Sequence, residues 1–209
     1  MSQCAPPVRC RSCRRCCPPR ARRPPRPAVR CSGCLLIDLN RTIGHRHLHS
    51  EIGRGLTRAQ RQQIVVEHYW PRRDAVESEI ARCVAANEAV VHIASHNFTL
   101  VFGGIVRRAD VAWLFDPRRP GETLLARRWQ VALAQRAPGL RLRRNYPYQG
   151  RSDGLASQLR KRHPDASYVA IELEVNQRFV LQGGAPWETL RSDLVESLEA
   201  ALSMPLRRP

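Results

Sequence analysis

The stretch "YVAIELEV", residues 168–175, decides the fold. Apolar, β-branched and aromatic residues dominate it, and its length suits a strand better than a helix. Glu172 and Glu174 alternate with apolar residues, so a strand turns both carboxylates to one side. Working outward, the same texture recurs in "LLIDL" (35–39), "AVVHIA" (89–94), "VAWLF" (111–115) and "LRLR" (141–144), each read as a strand. Between them lie helical patterns at 57–68 and 71–86. The second repeats Val76, Ile80 and Val84 every four residues, with Pro71 near its start, where the missing N–H costs little. Residues 121–136 carry Leu125, Trp129 and Leu133 on one face, and 153–162 and 187–203 read as further helices. Strands alternating with helices predict an α/β fold. The sheet is expected to be mixed and largely parallel with flanking helices, of the phosphorylase/hydrolase-like kind. No internal repeat is present.

The chain has 209 residues, enough for one α/β domain with a substantial core, and 43% of them are hydrophobic. No window reaches the roughly 20 consecutive apolar residues of a membrane helix. No apolar signal-peptide region opens the chain, so a cytoplasmic protein without membrane partners is the expectation. The net charge of +17 raises the question of nucleic acid. Its distribution argues against that partner. Residues 1–34 hold nine Arg and no Asp or Glu, and Lys161 is the single lysine against 34 Arg. A skew of that kind fits a GC-rich coding sequence better than selection for phosphate contacts.

Residues 1–34 differ in kind from the rest. Arg, Pro and Cys dominate, and seven of the eight cysteines fall here, Cys83 being the exception. Cys10, Cys13 and Cys16, then Cys31 and Cys34, give the spacing of a zinc knuckle. In so cysteine-rich a segment such pairs arise from composition alone. A disordered basic tail or an out-of-frame translation is therefore preferred to a zinc knuckle or a nucleic-acid arm. The domain reading is 1–34 as that segment and 35–209 as the globular α/β part.

Sites on such sheets gather beyond the carboxyl ends of strands. Three strand ends here bring polar groups: Asp38, Asn40 and Arg41 in "IDLNRT", His96 just past "AVVHIA", and Glu172 and Glu174 in "IELEVNQ". Arg forks onto carboxylates, Glu can serve as a general base beside an activated water, and His supplies a neutral metal ligand. Each has an ordinary structural reading too. His96 taken alone reads better as a capping or core histidine, Asp38 and Asn40 as turn formers, Arg41 as a surface charge, and the two glutamates as a wet strand face.

The order of these pieces adds to the reading. The stretches "LLIDLNRT", "YWPRRDAVE", "HIASHNFTLVFGG", "RRADVAWLFDPRRPGE", "RRNYPYQGRSDGL" and "YVAIELEVNQ" resemble the N-formylglutamate amidohydrolase family, and more distantly the aspartoacylase and zinc carboxypeptidase group. The resemblance runs from about Leu35 to Phe179. It implies a zinc-dependent hydrolase of an N-formyl or N-acyl amide on an acidic amino acid, a small-molecule partner. His96 is implied as a zinc ligand, Asn40 and Arg41 as the pair binding the substrate carboxylate, and Glu174 as the general base, with Glu172 a weaker candidate for that role. Tyr146, Tyr148 and Asp153, on the loop Asn145–Gly154, are implied to line the pocket.

The family takes its other two metal ligands from upstream of "IDLNR", and residues 1–34 contain no His, Asp or Glu. Glu67-His68 has the right dipeptide but reads as surface helix. His45, His47 and His49 would share a face if extended, but read better as a solvated loop. The expectation is therefore a zinc site short of ligands, in a truncated or frame-shifted form of a zinc amidohydrolase whose first part is missing or replaced. A catalytically incomplete fragment and a basic nucleic-acid-binding protein are the alternatives.

Overall fold

The structure, a computed structural model, describes residues 36–203. The readings of residues 1–34 as a disordered or out-of-frame segment, a zinc knuckle or a nucleic-acid arm lie outside the described residues.

In chain order the elements are α1 (Glu51–Arg54), α2 (Arg58–Ile64), α3 (Trp70–Ala85), β1 (Val90–Phe98), a hairpin of β2 (Val101–Phe102) and β3 (Ile105–Val106), β4 (Val111–Leu114), α4 (Pro120–Arg136), β5 (Leu142–Arg144), α5 (Leu155–Arg162), β6 (Tyr168–Asn176), α6 (Gln177–Gln182) and α7 (Gly184–Ser203). The main sheet has the order β1-β6-β4-β5. β1 runs parallel to β6 and β4 parallel to β5, while β4 meets β6 antiparallel. The sheet is thus mixed and largely parallel, with helices flanking it, as the alternating pattern predicts.

β6 is central and buried along its whole length, as a strand covered on both faces must be. Its alternation separates two layers. Val169, Ile171, Leu173 and Val175 join Val111 and Trp113 of β4 against Leu125, Trp129 and Leu133 of α4 and Leu190 and Leu194 of α7. The indole of Trp129, inside that layer, donates to Ser197 Oγ at 3.0 Å, so its polar edge is satisfied. On the opposite face Tyr168 and Ala170 pack against Ile80 of α3 and Leu155, Ala156 and Leu159 of α5. Val76 and Val84 close this layer from α3, so the predicted four-residue repeat is its core face. The helix cover on that side ends at Ala170. Glu172 and Glu174 continue the same face beyond it.

Glu122, on the first turn of α4, is completely buried and ties several segments together. It accepts from Arg160 Nε at 2.8 Å and the Asp116 N–H at 2.8 Å, and lies 3.1 Å from Arg119 Nε. Two guanidinium groups and a backbone amide compensate the desolvated carboxylate.

Three local expectations are corrected. "LLIDL" is not a sheet strand: Ile37 makes one isolated bridge to His49 and packs with Leu48, Ile64, Val65 and Tyr69 in a separate small cluster. Asp38 then accepts the Asn40 N–H and starts a turn, as Asp does where it competes for backbone donors. The two helices before β1 are not separated at Pro71. A π-helical turn, Val65–Tyr69, joins α2 to α3, and the Trp70 N–H bonds the carbonyl five residues back, at Val65. That wider turn admits a proline, which has no N–H to offer. Finally, β1 does not end before His96. It runs on to Phe98, because its partner β6 continues in parallel register to Asn176.

No helix among the described residues is long and apolar enough to cross a membrane.

Candidate active site

A cavity of about 340 Å3 opens where the helix cover of β6 stops. It is lined by Asn40, Arg41, His96, Tyr148, Asp153, Glu172 and Glu174 among others. With Asp38, which also lines it, eight of the nine residues singled out from the sequence therefore meet in one place. The exception is Tyr146, whose ring packs edge-on against Phe98 at 6.1 Å instead.

The sheet positions the two chemical groups at its floor. His96 on β1 is the register partner of Glu174 on β6. Paired residues project to the same side, so the imidazole and the carboxylate emerge together. Glu172 and Glu174 are 7% and 5% exposed, which replaces the wet-face reading: the face is closed by the turn at Asn40 and the loop ending at Gly154. Burial pushes the Glu174 carboxyl up to about 7, and the neighbouring Glu172 charge adds to the rise while Arg107 opposes it. Glu172 is also raised by burial, tempered by Arg160 and by a hydrogen bond from Asn40. Burial lowers His96 below its ordinary value; Asp38 opposes this and Arg41 reinforces it, so the ring is neutral near pH 7. His96 Nε2 and Glu174 Oε2 are both buried without a hydrogen-bond partner. Two such atoms on register-paired residues lining one cavity mark a place for water, substrate or a metal ion.

The remaining walls come from two irregular segments. In the first, the Asn40 side chain accepts from the Leu155 N–H at 2.9 Å and bonds Glu172, so it is occupied in fixing the floor. Arg41 pairs with Asp38 at 3.2 Å, both side chains being partly exposed. So exposed a pair is weak, and an incoming carboxylate can take over the guanidinium. In the second segment Asp153 accepts from both the N–H and the hydroxyl of Thr42. Burial raises Asp153, but these bonds more than offset it and hold the carboxyl below its ordinary range. It is thus an anchor between the two segments. Tyr148 stands at the mouth, 44% exposed. Gly150 is required where the loop crosses β4, since a Cβ there would lie 2.0 Å from the Phe115 nitrogen. Gly154 takes a φ of +151° beside Asn40 and Glu172, a conformation few other residues accept.

Sequence reasoning missed Arg107, which is 9% exposed, stacks on Phe102 and Tyr148 and acts on Glu174. It also passed over Gln149 and Ser152, which line the cavity from the loop already singled out. None of the other histidines lines the cavity. His45 and His47 lie in a turn with rings 5.7 Å apart, and Glu67 bonds Gln63 along the helical surface. Among the described residues no group of three or more His, Cys, Asp or Glu is placed to hold a metal ion. His96 fits a ligand role by its neutral, partnerless nitrogen, but a catalytic zinc uses three protein ligands. The described residues therefore do not complete a zinc site.

The comparisons agree with this architecture. No curated protein matches the chain. Among solved structures, the gene product Atu2144 of Agrobacterium tumefaciens is 25% identical, with a TM-score of 0.61 over 81% of this chain and 67% of its own. An N-formylglutamate amidohydrolase from Ralstonia eutropha JMP134 is 18% identical, with a TM-score of 0.60 over 81% of this chain and 74% of its own, a likeness of fold. The family model for N-formylglutamate amidohydrolase matches residues 19–181, most of the length, and by that match this chain belongs to the N-formylglutamate amidohydrolase family.

Proposed function

We propose that the cavity hydrolyses the N-formyl or N-acyl amide of an acidic amino acid. The observation that carries this is the pairing of Glu174 Oε2 and His96 Nε2, buried and unpartnered on the same sheet face, with the Arg41 guanidinium at the rim. Membership of the family supports the same reaction class.

With its carboxyl near 7, Glu174 is ionised in part of the population at neutral pH and is basic enough to take a proton from water. The hydroxide equivalent adds to the amide carbonyl. The proton held on Glu174 then passes to the leaving nitrogen, so acyl acid and free amine depart and Glu174 is returned as carboxylate. Arg41 binds a substrate carboxylate in a forked hydrogen bond and fixes the amide over Glu174. Asn40 keeps Glu172 in place beside it. Zinc belongs to the proposal only as the cofactor His96 would help hold, where it would polarise the carbonyl. No step above depends on it, because the described residues do not complete its ligand set.

Formate release from N-formylglutamate is the test. Glu174→Gln is expected to abolish it, and Arg41→Ala to raise KM by about 10- to 100-fold, the loss of a charged hydrogen bond. Full activity in Glu174→Gln would refute the base assignment. Metal analysis of the purified protein, and assay with and without chelator, test the zinc.

A further inference from the structure

We propose that Arg73 is a positioning residue that sets the carboxylate clamp from behind without touching the substrate. This rests on the reading of Arg41 as the residue that binds the substrate carboxylate.

The segment Asn40–Thr42 has no regular secondary structure, so other contacts must fix it. Its amides are served from the front: the Asn40 and Arg41 N–H groups go to Asp38, and the Thr42 N–H goes to Asp153. Its carbonyls are served from behind. Arg73 Nη2 donates to Asn40 O at 3.1 Å and to Arg41 O at 2.8 Å, and the Tyr69 hydroxyl donates to Arg41 O at 2.7 Å. Arg73 Nη1 donates to Gln158 Oε1, and Gln158 in turn donates to the Thr42 hydroxyl at 3.0 Å. One guanidinium thus holds three consecutive residues of the wall, two directly and the third through Gln158.

Arg73 is 2% exposed and does not line the cavity. Its guanidinium lies over the Tyr69 ring, 4.8 Å from the centroid. The acidic groups that act on it, Glu77 and Asp153, do so at longer range, beyond ion-pair contact. A buried charge held by carbonyl oxygens rather than by a carboxylate is costly. What it obtains here is geometry. A planar fork can span two successive carbonyls and a side-chain amide at once, which a single ammonium cannot. The π turn sets this up by carrying Tyr69 into α3, one turn before Arg73.

Arg73→Lys keeps the charge and removes the fork. Hydrogen exchange read by mass spectrometry should show the peptide spanning 38–43 opening about tenfold faster, with the β6 peptide 168–176 unchanged. KM for N-formylglutamate should rise about tenfold while kcat stays within about threefold. Tyr69→Phe, which removes the second donor to Arg41 O together with the hydroxyl's bonds to Arg73 and the Ile43 backbone but keeps the Arg73 fork, should shift both readouts less and in the same direction. Unchanged exchange at 38–43 in both variants would overturn the proposal. So would equal acceleration in 168–176, since that is general loosening. Faster exchange at 38–43 with an unaltered KM would remove Arg41 as the clamp, and the proposal with it. Absence of formate release by the unmutated chain would instead refute the hydrolase reading, and the exchange data would still show whether Arg73 orders the segment.

Discussion

Replacing Glu174 by Gln should make the protein more stable, and more so as pH rises. Burial holds the Glu174 carboxyl near 7 in the folded chain against an ordinary value of 4.5. Between those values the folded state binds more protons than the unfolded one, so stability falls as pH climbs through this window and levels off above it. At about 1.4 kcal/mol per pH unit, the destabilisation reaches on the order of 3 kcal/mol by pH 8. Gln has nearly the shape of the protonated acid and does not titrate. The substitution should therefore gain about 3 kcal/mol at pH 8 and less than about 1 kcal/mol at pH 5. Urea unfolding of both proteins at the two pH values, with chelator present so that no metal ion shares the site, measures the difference. An equal gain at both pH values, or none at pH 8, would show that Glu174 is not held protonated by its surroundings. The general-base assignment would then lose its physical basis.

Other outcomes follow from the same structure. Glu122→Gln leaves Arg119 and Arg160 facing a neutral amide inside the fold and should cost about 3–5 kcal/mol in denaturant unfolding. Leu133→Ala empties a fully buried site between α4 and the sheet and should cost about 2–5 kcal/mol by the same measurement. Gly150→Ala drives a methyl into the Phe115 backbone, so the substrate-side loop must lift off β4; formate release should drop sharply and stability fall by about 2 kcal/mol or more.

The helices and the inner strands were legible because their apolar residues repeat at one clear period. Leu125, Trp129 and Leu133, or Val76, Ile80 and Val84, carry their packing partners in their spacing. "LLIDL" misled because a short apolar run looks alike whether it joins a sheet or caps a local cluster, and only the positions of Leu48, Ile64 and Tyr69 decide. The glutamates of β6 were readable as sharing a face, but not as buried. Their cover comes from Asn40 and Gly154, 132 and 18 residues from Glu172 in the chain numbering. The family resemblance of the loop Asn145–Gly154 implies both Tyr146 and Tyr148 for the pocket, whereas the loop turns one ring to Phe98 and the other to the mouth. Arg73 and Arg107 were invisible among 34 arginines, since nothing local tells a buried guanidinium from a solvated one.

The alternation along β6 has a consequence for how the chain finds its fold. Odd-numbered residues feed the apolar layer against Trp113 and Trp129, while the even-numbered Glu172 and Glu174 face the cavity. If β6 entered the sheet one residue out of step, every side chain would change faces. Two carboxylates would then sit among tryptophan and leucine, at several kcal/mol each, and Leu173 and Val175 would stand in the cavity. The groups proposed to do the chemistry thus also proofread the assembly of the strand, since a mispaired β6 is penalised at the residues that would make it useless.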